Sequence, residues 1–172
     1  MIALKNVLVA TDFSEASESA LRYGRALAHA FGATLHVVHV IPDPLLSFSW
    51  AGSPEAGIGT GAHHVWVAEA RNRLDVLVSP RDRASLHAQL VVLSGEPVRQ
   101  IIEYAMKHDI GLAVLGTRGK GPVEHLLLGS VAERVVRFAT CPVLTVRPDQ
   151  HEFVHETVVP ATRTTSPSEA FA

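Results

Sequence analysis

Gly116, Gly119, Gly129 and Ser130 are the residues of this chain whose types and spacing could do chemistry. Two residues separate the first pair of glycines, and nine, Lys120 to Leu128, separate Gly119 from Gly129. Glycines placed this way leave backbone N–H groups unshielded. Unshielded amides at a helix start bind anions, phosphate above all. The run Leu127-Leu128-Gly129-Ser130-Val131-Ala132-Glu133 reads as such a start, with Ser130 as its N-cap and Glu133 completing a capping box. The first amides of that helix lack internal partners, and its macrodipole adds roughly half a positive charge there. The plain alternative is a glycine turn with a structural serine cap. A second polar group at another strand end, Thr11-Asp12, tips the reading toward a site.

Other elements must hold these residues together. Asn6 to Ala10 is a short, nearly all-apolar run, as a strand buried on both faces of a parallel sheet requires. From Ser14 to Phe31, the residues Ala16, Ala20, Tyr23, Leu27 and Phe31 share one helical face. Asp12 or Ser14 can cap that helix, and Gly32 can end it. Thr34 to Ile41 predicts a second strand, stopped by Pro42. Pro42 to Gly61, rich in proline and glycine, predicts a long mobile loop able to cover a ligand as a lid. A helix is expected over about Ala62–Arg81, a third strand over Leu86–Leu93, and a helix from Gly95-Glu96-Pro97 to about His108. A fourth strand over Ile110–Leu115, a helix over Val131–Phe138 and a fifth strand over Pro142–Val146 complete the pattern.

This alternation predicts an α/β fold, a doubly wound parallel sheet with helices on both faces. One domain is expected over residues 1–148, and a Thr-, Ser-, Pro- and Glu-rich extension over 149–172. In open sheets of this kind, ligands bind beyond the carboxyl ends of strands, where the chain direction reverses. If strands one and four are adjacent, Asp12 faces the glycine loop across that crevice.

Composition narrows the function classes. Hydrophobic residues make up 47% and charged residues 19%, the balance of a chain that folds. A formal net charge of -2 supplies no basic field for nucleic acid or anionic membrane. The single cysteine, Cys141, excludes an internal disulfide and suits a reducing compartment. Its surroundings in sequence offer no activating base, so packing is its expected role. The first residues lack a signal peptide's apolar core, and no apolar run nears the roughly 18 residues of a membrane span. A cytoplasmic location is the expectation. Two nucleotide signatures fail. Gly119-Lys120 is followed by Gly121 instead of Ser or Thr, and Val114 stands where the first Walker glycine belongs. The order Gly116, Gly119, Gly121 also departs from G-x-G-x-x-G.

The residues do match another pattern. The chain resembles the universal stress proteins, in their ATP-binding branch, whose G-x2-G-x9-G-S/T motif is met by Gly116, Gly119, Gly129 and Ser130. Val7 to Ser14 resembles that family's opening strand with its D-x-S turn, and Cys141 to Val146 resembles its closing strand. The likeness covers about Leu4 to Arg147. It implies a five-stranded sheet of order 3-2-1-4-5 and homodimers paired through the last strand, Pro142 to Val146. It implies ATP as ligand, with or without Mg, and a regulatory role in the stress response. By position, Ala10, Thr11 and Asp12 would line the nucleoside side, and the main chain at Val40 would meet adenine. Leu115, Gly116, Arg118, Gly119, Gly129, Ser130 and Val131 would surround the ribose and phosphates. Leu115 stands where the family often has methionine, an apolar exchange of similar volume.

Rival readings have their own residues. A dimeric interaction module could bind AMP or cyclic AMP in the same pocket, or leave it empty. His151-Glu152-Phe153-Val154-His155 spells the H-E-x-x-H of zinc proteases. That chemistry needs a helix and a third ligand, whereas this segment runs into Thr157-Val158-Val159-Pro160, which favours extended chain. His36 and His39 are an odd number of residues apart on a strand and so face opposite sides. His63-His64 reads as a pair of solvated loop histidines, and Gly57 to Gly61 as flexible chain. Arg118 is the better candidate for a phosphate contact, with Lys120 evenly balanced between phosphate and solvent. Slow hydrolysis of ATP is compatible with the motif. No general base lies close by in the glycine loop, so occupancy is favoured over turnover.

Overall fold

The computed structural model describes residues 3–41, 60–117, 128–148 and 154, with backbone alone for 60–62. Strand β1 (Asn6–Ala10) is the middle of a five-stranded sheet, and its Val7, Leu8 and Val9 are fully buried. Helix α1 (Glu15–Phe31) follows it. Ser14 is its N-cap, accepting from the Ser17 amide while the Ser17 hydroxyl accepts from Ser14, a reciprocal cap closed by two serines. Gly32 ends the helix at φ 63, in the left-handed region where glycine carries no Cβ penalty. Strand β2 (Thr34–Ile41) lies parallel to β1, with Val38 opposite Ala10.

The helix expected over Ala62–Arg81 is two helices, α2 (Thr60–Leu77) and α3 (Pro80–Ser85). Ser79 accepts from the Asp82 amide and Pro80 takes the first helical position. A proline there loses no helical hydrogen bond, whereas inside a helix it breaks one. Thr60 and Gly61, expected in the loop, belong to α2. The rest of that loop, residues 42–59, lies outside the described residues. Strand β3 (Gln89–Ser94) starts later than Leu86, because His87 adopts φ 48 and interrupts the extended run. Then come α4 (Pro97–Lys107), capped by the Glu96 side chain, β4 (Leu112–Gly116), α5 (Ser130–Phe138) and β5 (Val143–Val146).

All pairings are parallel, and the order is β3-β2-β1-β4-β5. The chain thus winds outward in both directions from β1, as the resemblance implied. Alternation along the strands divides the core in two. Val7, Val9, Leu35, Val37 and Val114 pack with α1 and the end of α2, including Ala20, Leu21 and Leu74. Leu8, Val38, Ala113 and Leu115 pack with α4 and α5, including Ile101 and Val135. Val154, from the C-terminal extension, packs against the α1 side. The rest of the extension beyond Pro148 lies outside the described residues. Among the described residues no helix is long and apolar enough to cross a membrane.

Candidate functional site

The strand order places β1 beside β4, with Ala10 opposite Leu115. The two polar strand ends therefore meet at the switch point of the sheet, where such folds bind ligands. Past Ala10, Thr11 is still held to β2, its amide donating to the Val38 carbonyl at 2.9 Å. The chain then turns sharply. The Phe13 amide donates to Thr11 Oγ1 at 3.0 Å, and the Ser14 amide to Asp12 Oδ1 at 3.0 Å. Thr11 Oγ1 also shares a hydrogen bond with Ser17 Oγ, 3.0 Å away. Asp12 is half-buried at the crest of this turn, with Oδ1 accepting from both the amide and the hydroxyl of Ser14.

On β2, direction alternates along the backbone. Val38 directs its carbonyl to β1, so Val40, two residues on, directs its amide and carbonyl to the same side. By then β1 has turned away, and no partner for either group is found among the described residues. Val40 thus offers one donor and one acceptor side by side, the pattern a planar base edge can match.

On β4, the Leu115 side chain is buried in the α4/α5 core, leaving its backbone to the crevice. Gly116 has a packing reason. A Cβ there would lie 2.5 Å from the Ala16 carbonyl carbon and 2.8 Å from the Ser17 amide nitrogen, both backbone atoms of α1. Only glycine lets α1 start this close to β4. Arg118 and Gly119 lie outside the described residues, as does Lys120.

The start of α5 differs from the expectation. Its N-cap is Gly129, not Ser130, and no side chain caps it. The Gly129 carbonyl takes the first helical hydrogen bond, from the Glu133 amide at 2.9 Å. That shift puts Ser130 at the first helical position, exposed, so the Ser130–Glu133 capping box does not form. The Gly129 amide is also not bare, since it donates to the Thr117 carbonyl at 2.5 Å. The open amides are those of Ser130, Val131 and Ala132, which precede the first helical bond and have no acceptor among the described residues.

Sequence reasoning passed over Thr117. It is 5% exposed, and its Oγ1 is buried with no hydrogen-bond partner among the described residues. Its amide donates to Val146 and its carbonyl accepts from Gly129, so it ties β4 to both β5 and α5. Only its place after Gly116 could have flagged it.

The histidines resolve separately. His36 and His39 face opposite sides of β2, as their spacing requires. His36 is buried against Tyr104, its Nδ1 2.9 Å from the phenol oxygen, while His39 meets Phe13. Burial, helped by His108, lowers the His36 pKa from its ordinary value. Burial likewise raises that of Tyr104. His63 and His64 are helical, not in a loop, and His63 Nε2 is 3.0 Å from Ser94 Oγ. Cys141 packs half-buried beside the α4/α5 core, and desolvation raises its thiol pKa, partly countered by backbone hydrogen bonds. A thiol held neutral is a poor nucleophile. Among the described residues no three His, Cys, Asp or Glu side chains converge as a metal site. His151, Glu152 and His155 lie outside them.

Comparison with known proteins adds an independent line. The sequence model described as the universal stress protein family matches residues 3–147. Universal stress protein MJ0531 of Methanocaldococcus jannaschii is 30% identical over 148 residues, covering 86% of this chain and 85% of that protein. The solved structure of protein MJ0577 superposes with a TM-score of 0.71 at 23% identity, over 87% of this chain and all of the other, a likeness of fold. A universal stress protein solved in complex with cyclic AMP superposes with a TM-score of 0.57 at 25% identity, over 85% of this chain and 98% of that one.

Proposed function

The chain belongs to the universal stress protein family, and on that footing we propose that it binds ATP in the crevice between β1 and β4 and acts in the cytoplasm as a nucleotide-dependent regulator of the stress response. The observation that carries this reading is the uncapped start of α5. Three successive amides, from Ser130 to Ala132, lack acceptors at the positive end of a helix dipole. A polyphosphate supplies the acceptors and the negative charge together. By their places in the sequence motif, Arg118 would add a cation and Gly119 a residue without a side chain to that reading. At the other end of the crevice, Val40 offers adenine a donor and an acceptor, while Ala10, Thr11 and Asp12 line the nucleoside.

The site is read as a holder of phosphate. Asp12, at the end of β1, accepts at Oδ1 from both the Ser14 amide and the Ser14 hydroxyl, which commits that oxygen to shaping the turn. No protein metal cage is found among the described residues. Mg accompanying ATP fits as an ion carried mainly on phosphate oxygens. Among the described residues β5 is the edge strand of the sheet, and α5 exposes Val136 and Phe138. An open parallel edge with apolar cover favours a homodimer paired along Pro142 to Val146.

The cyclic AMP complex of the relative supports an adenine nucleotide and keeps a cyclic or monophosphate ligand as the second reading. The deciding experiment is to denature the purified chain, identify any released nucleotide by mass spectrometry, and titrate the emptied protein with ATP, AMP and cyclic AMP. ATP is expected to be released and to bind most tightly. Preference for AMP or cyclic AMP overturns the triphosphate reading, and binding of none overturns the site.

A further inference from the structure

The turn from β1 into α1 is restrained beyond what a helix start needs. Phe13 sits at φ 60, a region bulky residues rarely occupy. Such a backbone persists only where its surroundings over-determine it. Here the restraint comes from the α1/α2 side of the sheet, away from α5. Arg73 of α2 lays its guanidinium carbon 3.8 Å from the centroid of the Phe13 ring, a cation on an aromatic face. The His39 ring of β2 lies 4.4 Å from the same ring, and its Nδ1 donates to the Thr11 carbonyl at 2.7 Å. A carbonyl only accepts, so Nδ1 carries the proton. These side chains, with Trp66 and Glu69, wall a cavity of about 160 Å³.

The His39 hydrogen bond changes what β2 offers. In an unbroken parallel ladder the Val40 amide would be the next donor to the Thr11 carbonyl. His39 takes that carbonyl, the turn peels away, and the Val40 amide is left facing the crevice. We propose that Arg73, Phe13 and His39 are positioning residues for the nucleotide. They lock the turn from behind, so that Asp12 and the Val40 backbone keep the spacing a bound nucleoside needs. The inference rests on the nucleotide reading above. Because α2 supplies Arg73, the seating of α2 and nucleotide affinity become linked, and linkage runs equally in both directions.

The test uses the full chain and two readouts: amide hydrogen exchange at Phe13 and Ser14 without nucleotide, and ATP affinity by calorimetry. Arg73→Met keeps the aliphatic stem and removes the cation, while Arg73→Lys keeps a cation. Arg73 is exposed, so both variants are expected to fold, with at most a small fall in urea midpoint from the lost cation–aromatic contact. Arg73→Met is expected to speed exchange at both amides and to weaken ATP by about three- to tenfold, with Arg73→Lys recovering most of both. Unchanged exchange in Arg73→Met overturns the clamp. Faster exchange with undiminished ATP affinity overturns its role in positioning. A wild-type chain that binds no adenine nucleotide overturns the underlying reading instead, and is recognised because the wild type itself fails.

Discussion

Replacing Ser130 by proline separates an amide from everything around it. Ser130 is the first helical position of α5, where proline's missing N–H and preset φ are favourable. Proline also constrains the residue before it to extended geometry, and Gly129 already sits at φ -65 and ψ 149. Ser130→Pro therefore leaves the helix intact and deletes one of the three open amides, together with the hydroxyl. A hydrogen bond to a charged acceptor contributes about 1.5–3 kcal/mol. At about 1.4 kcal/mol per factor of ten, ATP should bind roughly ten- to 150-fold more weakly. Ser130→Ala removes only the hydroxyl and sets the baseline. Calorimetric titration with ATP measures affinity, and urea unfolding should place both variants within about 0.5 kcal/mol of the wild type. Equal ATP affinity in Ser130→Pro and Ser130→Ala, with both folded, would refute the claim that the α5 amides hold phosphate.

Three further outcomes test the frame around that site. Gly116→Ala drives a Cβ into the backbone of Ala16 and Ser17 and should cost about 1–3 kcal/mol, read as a lower urea midpoint. An unchanged midpoint would mean that α1 slides freely along β4. Ser14→Ala removes the cap of α1 and the hydroxyl that meets Asp12, and should cost about 1 kcal/mol in thermal unfolding. His36 is harder to protonate folded than unfolded. Above its ordinary value of 6.5 it is mostly neutral in both states and adds little pH dependence. As pH falls below 6.5 the unfolded chain gains a proton that the native state resists, so stability should decline. Urea midpoints between pH 8 and 5 measure this, and the decline should shrink in His36→Leu. An identical decline in that variant would assign it to other groups.

Local signals carried much of the architecture. The apolar run at Val7–Val9 foretold a strand covered on both faces, and Gly32 marked the end of α1. The break between α2 and α3 was also written in the chain, since Ser79-Pro80 is a helix-start signal. Continuous helix-forming residues on both sides masked it. Residues for a candidate site could be named from the sequence, but not the bonds they make. Ser130 and Glu133 have the spacing of a capping box, yet the Gly129 carbonyl takes the Glu133 amide and shifts the cap by one residue. Gly116 was read as access for an anion, while its requirement comes from α1, an element distant in sequence. Thr117 and the Arg73–Phe13 stack depend on which strands and helices become adjacent. No local pattern encodes that pairing.

The bond from the Gly129 amide to the Thr117 carbonyl has a consequence for how this chain can vary. It pins both ends of the segment between β4 and α5, so the start of α5 does not depend on what lies between them. Closing a longer loop costs little additional entropy, about 0.6 kcal/mol per doubling of length. That bond, between Thr117 and Gly129, sets the start of α5 relative to the end of β4 without help from any side chain. Changes of sequence length between these two residues would therefore leave the row of amides from Ser130 to Ala132 in register with the sheet.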